Sequence, residues 1–385
     1  MFWDKAHPLL LDRPEVQLIG DARGAILKRA TRTQKTWNDP LEALGALIGE
    51  NWIGYLSFDL GRRFETLPAI AADRVDAPLF IFGQNHRDMG VSPMRTFPPR
   101  FAHGREARAT RLRSTFTLHE YLNAVQRVID YIAAGDVYQV NLAQIFTTPQ
   151  CHASREVFDR LQSDAPPDFG AFLSFEQFDL ISNSPELLFR VTSDRKIITR
   201  PIKGTRPRGA GMERELLESK KDQAELAMIV DLERNDLGRI CEVGSVRVTE
   251  PRIIEAHPTV YHGVATIEGQ LRDDVGFVDI LRAMFPCGSV TGAPKIRAMQ
   301  IIDELEPVRR GPYCGAIGYI AADGTMEFNV AIRTMIVKDG LVHIPVGGGI
   351  VADSKPDDEY EETLVKARAM FAALGIDESQ FRSDT

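Results

Sequence analysis

Arg200, Lys203, Arg206 and Arg208 crowd four cationic side chains into the short stretch Arg200-Pro201-Ile202-Lys203-Gly204-Thr205-Arg206-Pro207-Arg208. Like charges held close disfavour one another's ionisation, and burial lowers a lysine pKa further. A lysine kept neutral there is a nucleophile or base, and one left charged is an anion anchor. If fully solvated, the stretch is only a basic loop. Pro201 and Gly204 punctuate the end of the β-rich run Lys196-Ile197-Ile198-Thr199, which places Lys203 where the chain leaves a sheet.

Carboxylates form a second group. On a helix expected over 220–234, Glu225 shares a face with Met228, Ile229 and Leu232. A carboxylate on an apolar face must be paired, metal-bound or protonated. On a last helix expected over 357–374, Glu359, Glu362 and Lys366 line one face, while Tyr360, Leu364, Ala367 and Phe371 form an apolar one. With Glu225 these acids offer the carboxylates a Mg²⁺ site uses, waters and substrate completing the octahedron. Alternatively, Glu359 and Glu362 are a wet face within the acidic run Asp357 to Glu362.

Two glycine loops could receive anions. Phe285-Pro286-Cys287-Gly288-Ser289-Val290-Thr291-Gly292-Ala293-Pro294-Lys295 leads into a helix that starts at Pro294, and backbone N–H groups at such a terminus favour a carboxylate or phosphate. The spacing is not that of a Walker loop. Val346-Gly347-Gly348-Gly349-Ile350 lets backbone approach a ligand closely, although a tight turn explains it equally well. Arg333, on a strand expected from Asn329 to Val337, is a candidate bidentate carboxylate clamp, or simply one of the many arginines on half-exposed strands.

The elements that must position these groups read as follows. Ile53 to Phe58 and Leu79 to Gly83 are strand-like, with a helical piece from Leu41 to Ile48. Residues 88–113 turn polar and proline-rich, as a linker or long surface loop does. Thr117 with Glu120 is a capping box opening a helix through Ala134, which Gly135 stops. Asp136 to Leu142, Ala171 to Phe175 and Leu180 to Ser182 are strand-like. A charged helical stretch over 212–234 precedes strands expected at 243–249, 259–267, 314–321, 327–338 and 341–346. Helices over 276–284 and 293–304 interrupt them. Strands outnumber helices without regular alternation, which predicts a mixed α+β fold with antiparallel sheets.

Bulk properties narrow the partners. The chain has 385 residues, 44% hydrophobic and 26% charged, enough for a sizeable core in one large or two smaller domains. A net charge of −8 argues against nucleic acid or an acidic membrane as partner, so local basic clusters point to a small anionic substrate. The four cysteines are scattered, as expected of reduced thiols in the cytoplasm. No signal-like N-terminus and no run of about eighteen apolar residues is found.

Taken together, the motifs resemble those of the chorismate-utilising enzymes, the family of anthranilate, isochorismate, salicylate and aminodeoxychorismate synthases. The resemblance runs from about 115 to 375. It is carried by Ser184-Pro185-Glu186, Pro201 to Thr205, Lys221 to Glu225, Ile229 to Asp236, Gly288 to Lys295, Gly315 to Tyr319, Gly347 to Ser354 and Glu359 to Thr363. Pro201-Ile202-Lys203-Gly204-Thr205 is similar to the aminodeoxychorismate synthase branch, since anthranilate and salicylate synthases carry alanine at the lysine. Gln139 stands where water-using members place a general-base lysine, which implies an amine as final nucleophile. Phe58 to Glu65 also looks like that branch.

The resemblance implies a two-lobed antiparallel β-sandwich flanked by helices. A short N-terminal region (1–110) would pack into the same body as a chorismate-binding core (111–385). It implies Lys203 as covalent nucleophile and Glu186 as general acid and base. Glu225 and Glu362 would bind Mg²⁺ directly, and Glu359 through water. Arg333, Tyr313 and the Gly347 backbone would bind the enolpyruvyl-side carboxylate, with Lys366, Gly288 and Ser289 near the anionic groups. His262 and Thr205 would contact the leaving group or support those that do. The tryptophan pocket of some relatives has no matching leucine–serine motif here. No amidotransferase triad is present, so ammonia is expected from a separate glutamine amidotransferase subunit. Rival expectations are anthranilate synthase component I and a non-catalytic chorismate-binding subunit.

Overall fold

Alternation along the strands decides how the sheets stack. In the strand Ala316–Ile320, Ile317 and Tyr319 join one apolar cluster, and Ala316 and Ile320 join another. Trp52–Leu56 divides in the same way: Ile53 and Tyr55 against Trp52 and Leu56. Strands buried on both faces read as continuous apolar runs, because one face meets a second sheet and the other meets helices.

The computed structural model describes residues 3, 6–84, 112–164, 166–257 and 260–377. Of the polar stretch expected at 88–113, all but the last two residues lie outside the described residues. Two sheets form the body, one of eight strands and one of twelve. The smaller cluster draws Leu9, Leu11, Ala171, Leu173, Leu180 and Ile336 from the first sheet, and Ile53, Tyr55, Ile81, Leu187 and Ile317 from the second. That cluster is the layer between the sheets. Among the described strands, pairing is antiparallel except where Leu9–Asp12 runs parallel to Phe169–Ser174. The fold is thus α+β, a two-sheet sandwich with helices outside.

The helices cover the outer faces. Leu118–Ala133 opens on the expected capping box: Glu120 N bonds Thr117 Oγ1 at 3.3 Å, and Thr117 N bonds Glu120 Oε2 at 2.8 Å. Pro356–Ala373 has Pro356 at its first turn, with Asp357, Asp358 and Glu359 favoured there by the helix dipole. Its buried face includes Tyr360, Leu364, Ala367 and Phe371, and it packs on the strand Leu341–Ile350. No described helix is long and apolar enough to cross a membrane.

Three expectations are corrected. The helical stretch 212–234 is two helices, Met212–Glu218 and Lys220–Gly238, broken at Ser219, whose hydroxyl caps the second by accepting from Asp222 N at 3.3 Å. The expected strand 327–338 is also two, Met326–Val330 and Thr334–Lys338. Arg333 lies in the link between them at φ +48°, not on a strand. Lys203 does not leave the sheet either. After Pro201 the chain resumes as the strand Ile202–Pro207, paired with Val260–Gln270 through an irregularity between Ile202 and Thr205 where Gly204 takes φ +83°.

Candidate active site

Lys203 is half-buried on that irregular strand. Its Nζ donates to Gln139 Oε1 at 3.4 Å, and a Cβ added to Gly349 would sit 3.1 Å from it. Gln139 is fully buried, with its Nε2 unpartnered. Burial lowers the Lys203 pKa, with Lys366 adding to the effect and Glu225, Glu186 and Glu362 opposing it. The amine is therefore biased towards its neutral, nucleophilic form.

Glu186, 3% exposed, approaches from the turn between Phe178–Ser184 and Leu187–Val191. Its Oε1 accepts from Ile202 N at 3.3 Å. Burial raises its pKa against the lowering effect of Ser289, Ile202, Lys203 and Lys366. A buried carboxyl beside an amine, each pushed by burial towards its neutral form, is the pairing that suits general acid catalysis with a nucleophile. Arg333, half-buried and without a carboxylate partner among the described residues, feels the charge of Glu186. It is free to clamp an incoming carboxylate.

The three glycines 347–349 lie within the strand Leu341–Ile350, paired with Ala143, Leu142 and Asn141, so the tight-turn alternative is overturned. Their bare backbone faces functional groups. A Cβ on Gly348 would lie 3.1 Å from Glu359 Oε2 and 3.6 Å from Glu362 Oε1. The Gly347 carbonyl accepts from Lys366 Nζ at 2.9 Å, and Lys366 pairs with Glu362 at 2.6 Å.

Glu359 is 4% exposed rather than part of a wet face. Its Oε1 accepts from Ser354 Oγ at 2.6 Å, and its Oε2 is buried without a partner. Burial raises its pKa, and the neighbouring Glu362 raises it further. Glu225, half-buried, is likewise raised by burial and feels both Lys203 and Glu362. In Glu362 the Lys366 ammonium overcomes burial and the pKa falls. An orphaned buried carboxylate oxygen over a glycine cradle, with two more carboxylates in electrostatic reach, suits a hard divalent cation. Their oxygens are not drawn together, however. The tightest such gathering among the described residues is Asp168, Glu255 and His257, with ligand atoms within 4.8 Å of one another. There the His257 ring nitrogens lie 3.6 Å from Asp168 and 3.7 Å from Glu255, and Glu255 also holds Arg200 at 2.5 Å. The Arg200 guanidinium already pairs with one of these carboxylates.

The remaining expected residues divide. Thr205 Oγ1 and His262 Nδ1 are 2.8 Å apart across paired strands, and the His262 ring lies edge-on to His257 at 5.0 Å. Gly288 packs under the helix Lys220–Gly238, where a Cβ would strike Leu232 at 2.5 Å. Tyr313 is 4% exposed, and its electrostatic neighbours are Cys314, Arg310 and Glu306 rather than the lysine or the three acids.

Sequence reasoning missed the scaffold of the 288–291 loop. Glu306 and Arg310, fully buried, pair at 2.6 Å, and Arg310 donates to Val290 O and Asn141 O, each at 2.8 Å. Asn141 N closes the link to Thr291 O at 2.8 Å. Glu306 follows the last turn of the helix Lys295–Leu305 in extended backbone and Arg310 lies beyond it, so no helical spacing announced the pair.

Comparison with known proteins follows from this geometry. Residues 6–372 match the family model of chorismate binding enzymes. The chain is 45% identical over 294 residues to "Anthranilate synthase component 1" of Pseudomonas aeruginosa, covering 75% of this chain and 59% of that one. It is 35% identical over 405 residues to "Aminodeoxychorismate synthase component 1" of Escherichia coli, covering 95% and 89%. Among solved structures, anthranilate synthase component I from Streptococcus pneumoniae superposes with a TM-score of 0.79 at 29% identity, covering 94% of this chain and 91% of that one. The chain spans less than two thirds of the length of the Pseudomonas protein. With its two-sheet sandwich and its lysine and acids gathered over bare glycine backbone, the chain belongs to the chorismate-binding enzyme family.

Proposed function

We infer that this protein is the synthase component of an aminodeoxychorismate synthase, converting chorismate and ammonia to 4-amino-4-deoxychorismate and water in the cytoplasm. The observation that carries the reading is Lys203 itself, a half-buried amine with lowered pKa, 3.4 Å from Gln139 Oε1 and beside the open face of Gly349.

In this mechanism the neutral Lys203 amine attacks C2 of the chorismate ring. The double bond shifts and the C4 hydroxyl leaves, taking a proton from Glu186 to become water. Ammonia then attacks C4, the double bond shifts back, and the C2–Lys203 bond breaks. Glu186 recovers a proton from the incoming amine. Arg333 binds a substrate carboxylate, with Tyr313, Gly288, Ser289 and Gly347 lining the same region. Lys366 supplies positive charge beside Gly347. Thr205 and His262 support the leaving-group side. A Mg²⁺ ion held by Glu225, Glu359 and Glu362 would neutralise the ring carboxylate.

The Escherichia coli relative, matched over nearly the whole chain, supports this reading. Its name, component 1, fits a separate amidotransferase supplying ammonia to this chain. The second reading, amination at C2 to give anthranilate, is favoured by the 45% identity to the Pseudomonas protein. Lys203→Ala separates the mechanisms. The covalent reading predicts loss of the 4-amino product with chorismate binding retained, and full activity in that variant would refute it.

A further inference from the structure

Behind Glu186 a chain of buried polar groups runs away from the pocket. The Ser289 hydroxyl stands close enough to the Glu186 carboxylate to lower its pKa, and Ser289 Oγ lies 3.2 Å from Cys287 Sγ, where either atom can donate. Cys287 Sγ lies 3.6 Å from Glu233 Oε1, and Thr199 Oγ1 donates to Glu233 Oε2 at 2.7 Å. Every member is buried: Glu186 3%, Ser289 5%, Cys287 3%, Glu233 2% and Thr199 0% exposed.

Glu233 has no cation beside it among the described residues. The titratable groups facing it are Glu186 across the chain, Cys287 from the loop, and Asp236 on its own helix, whose charge Lys295 takes up at 2.6 Å. A buried carboxyl so placed is held neutral, and burial pushes Glu233 up to about 8.

We propose that Glu233 and Glu186 share one proton through Cys287 and Ser289, so that Glu186 receives the proton it delivers from inside the protein. The role rests on the reading of Glu186 as the acid–base group; Glu233 acts through it, as a positioning residue for that proton. In one sense of the chain, the Glu233 O–H donates to Cys287 Sγ, the Cys287 S–H to Ser289 Oγ, and the Ser289 O–H to the Glu186 carboxylate. Reversing each bond moves one proton from Glu233 to Glu186, leaves Glu233 ionised, and changes neither thiol nor hydroxyl. Glu233 supplies through the chain the proton that Glu186 gives to the leaving hydroxyl, which leaves both carboxyls ionised. The proton that Glu186 then takes from the incoming amine passes back along the chain to Glu233. The two carboxyls then titrate as a pair.

The test follows chorismate consumption and product identity separately, in the full chain with Mg²⁺ and ammonium salt. Cys287→Ala breaks the chain and lowers kcat roughly tenfold or more with KM unchanged. Cys287→Ser, whose hydroxyl can still relay, recovers most of that loss, whereas a purely packing role would favour alanine. Glu233→Gln lowers kcat as Cys287→Ala does, and abolishes the fall in rate that ionisation of Glu233 imposes above about pH 8. Equal activity in Cys287→Ala and Cys287→Ser, or an alkaline fall retained in Glu233→Gln, would overturn the proposal. Infrared spectra of the substrate-free protein give an arm independent of turnover. The wild type shows a protonated-carboxyl band at neutral pH that Glu233→Gln lacks, and a wild type without that band overturns the shared proton. A wild type that consumes no chorismate refutes the functional reading, while the infrared arm still decides the proton.

Discussion

Gly349→Ala is the smallest change that should silence the site without harming the fold. The added methyl would sit 3.1 Å from Lys203 Nζ and 3.2 Å from Gln139 Cδ, whereas ordinary contacts begin near 3.4 Å. The side-chain ends must therefore retreat by about 0.3 Å or more, and the methyl also fills the space from which a ring would approach the amine. Misplacement of a reacting group by about 1 Å costs on the order of 10²-fold, so we expect kcat/KM to fall about 30- to 100-fold, or ~2–2.7 kcal/mol of transition-state stabilisation. Gly349 needs no left-handed conformation. Alanine there tightens the unfolded chain by ~0.4–1 kcal/mol, which offsets the crowding and keeps Tm within about 3 °C. Chorismate turnover with ammonium salt and a thermal melt on the same preparation decide the matter. Activity within about threefold of wild type at unchanged Tm would refute the placement of substrate over this glycine face.

Three further predictions concern the charges around the site. Glu362→Gln should leave the melt intact and raise the Mg²⁺ needed for half-maximal activity roughly tenfold; an unchanged titration would remove Glu362 from the ligands. Arg310→Met leaves Glu306 buried and unpaired, and should destabilise by ~3–5 kcal/mol in chemical denaturation, with a loss under about 1 kcal/mol contradicting the scaffold role. Glu255 has its pKa depressed to about 2, chiefly by His257 and Arg200, so its contribution is present above about pH 4.5 and lost as pH falls towards 2. Glu255→Gln should therefore cost ~1–3 kcal/mol at pH 6 and progressively less below pH 4.5, measured by denaturant titration at each pH. A difference independent of pH would contradict the sign.

Local chemistry made parts of this structure legible. Thr117 with Glu120 marked a helix start because a capping box is a contact within one turn. Lys203, Glu186 and Arg333 were singled out by residue type and motif, and the structure brings all three into one electrostatic neighbourhood. Arg333 reads as a strand residue because Val330, Ala331 and Ile332 precede it and Met335, Ile336 and Val337 follow it, and no glycine or asparagine at 333 announces the left-handed turn. Ser219 with Asp222 three residues on is a cap signal, set inside a charged stretch that reads as one continuous helix. The pairing of Glu306–Arg310 with Asn141, and of Glu233 with Cys287, joins segments far apart in the chain. No periodicity encodes such contacts; only the closing of the two sheets brings them together.

The central claim is amination at C4 through Lys203. Its most direct test is mass spectrometry of the product formed from chorismate, Mg²⁺ and ammonium salt, with and without a pyridoxal-phosphate aminodeoxychorismate lyase. The account predicts a product that becomes 4-aminobenzoate only when the lyase is added. Anthranilate formed without the lyase would place the amine at C2 and contradict it.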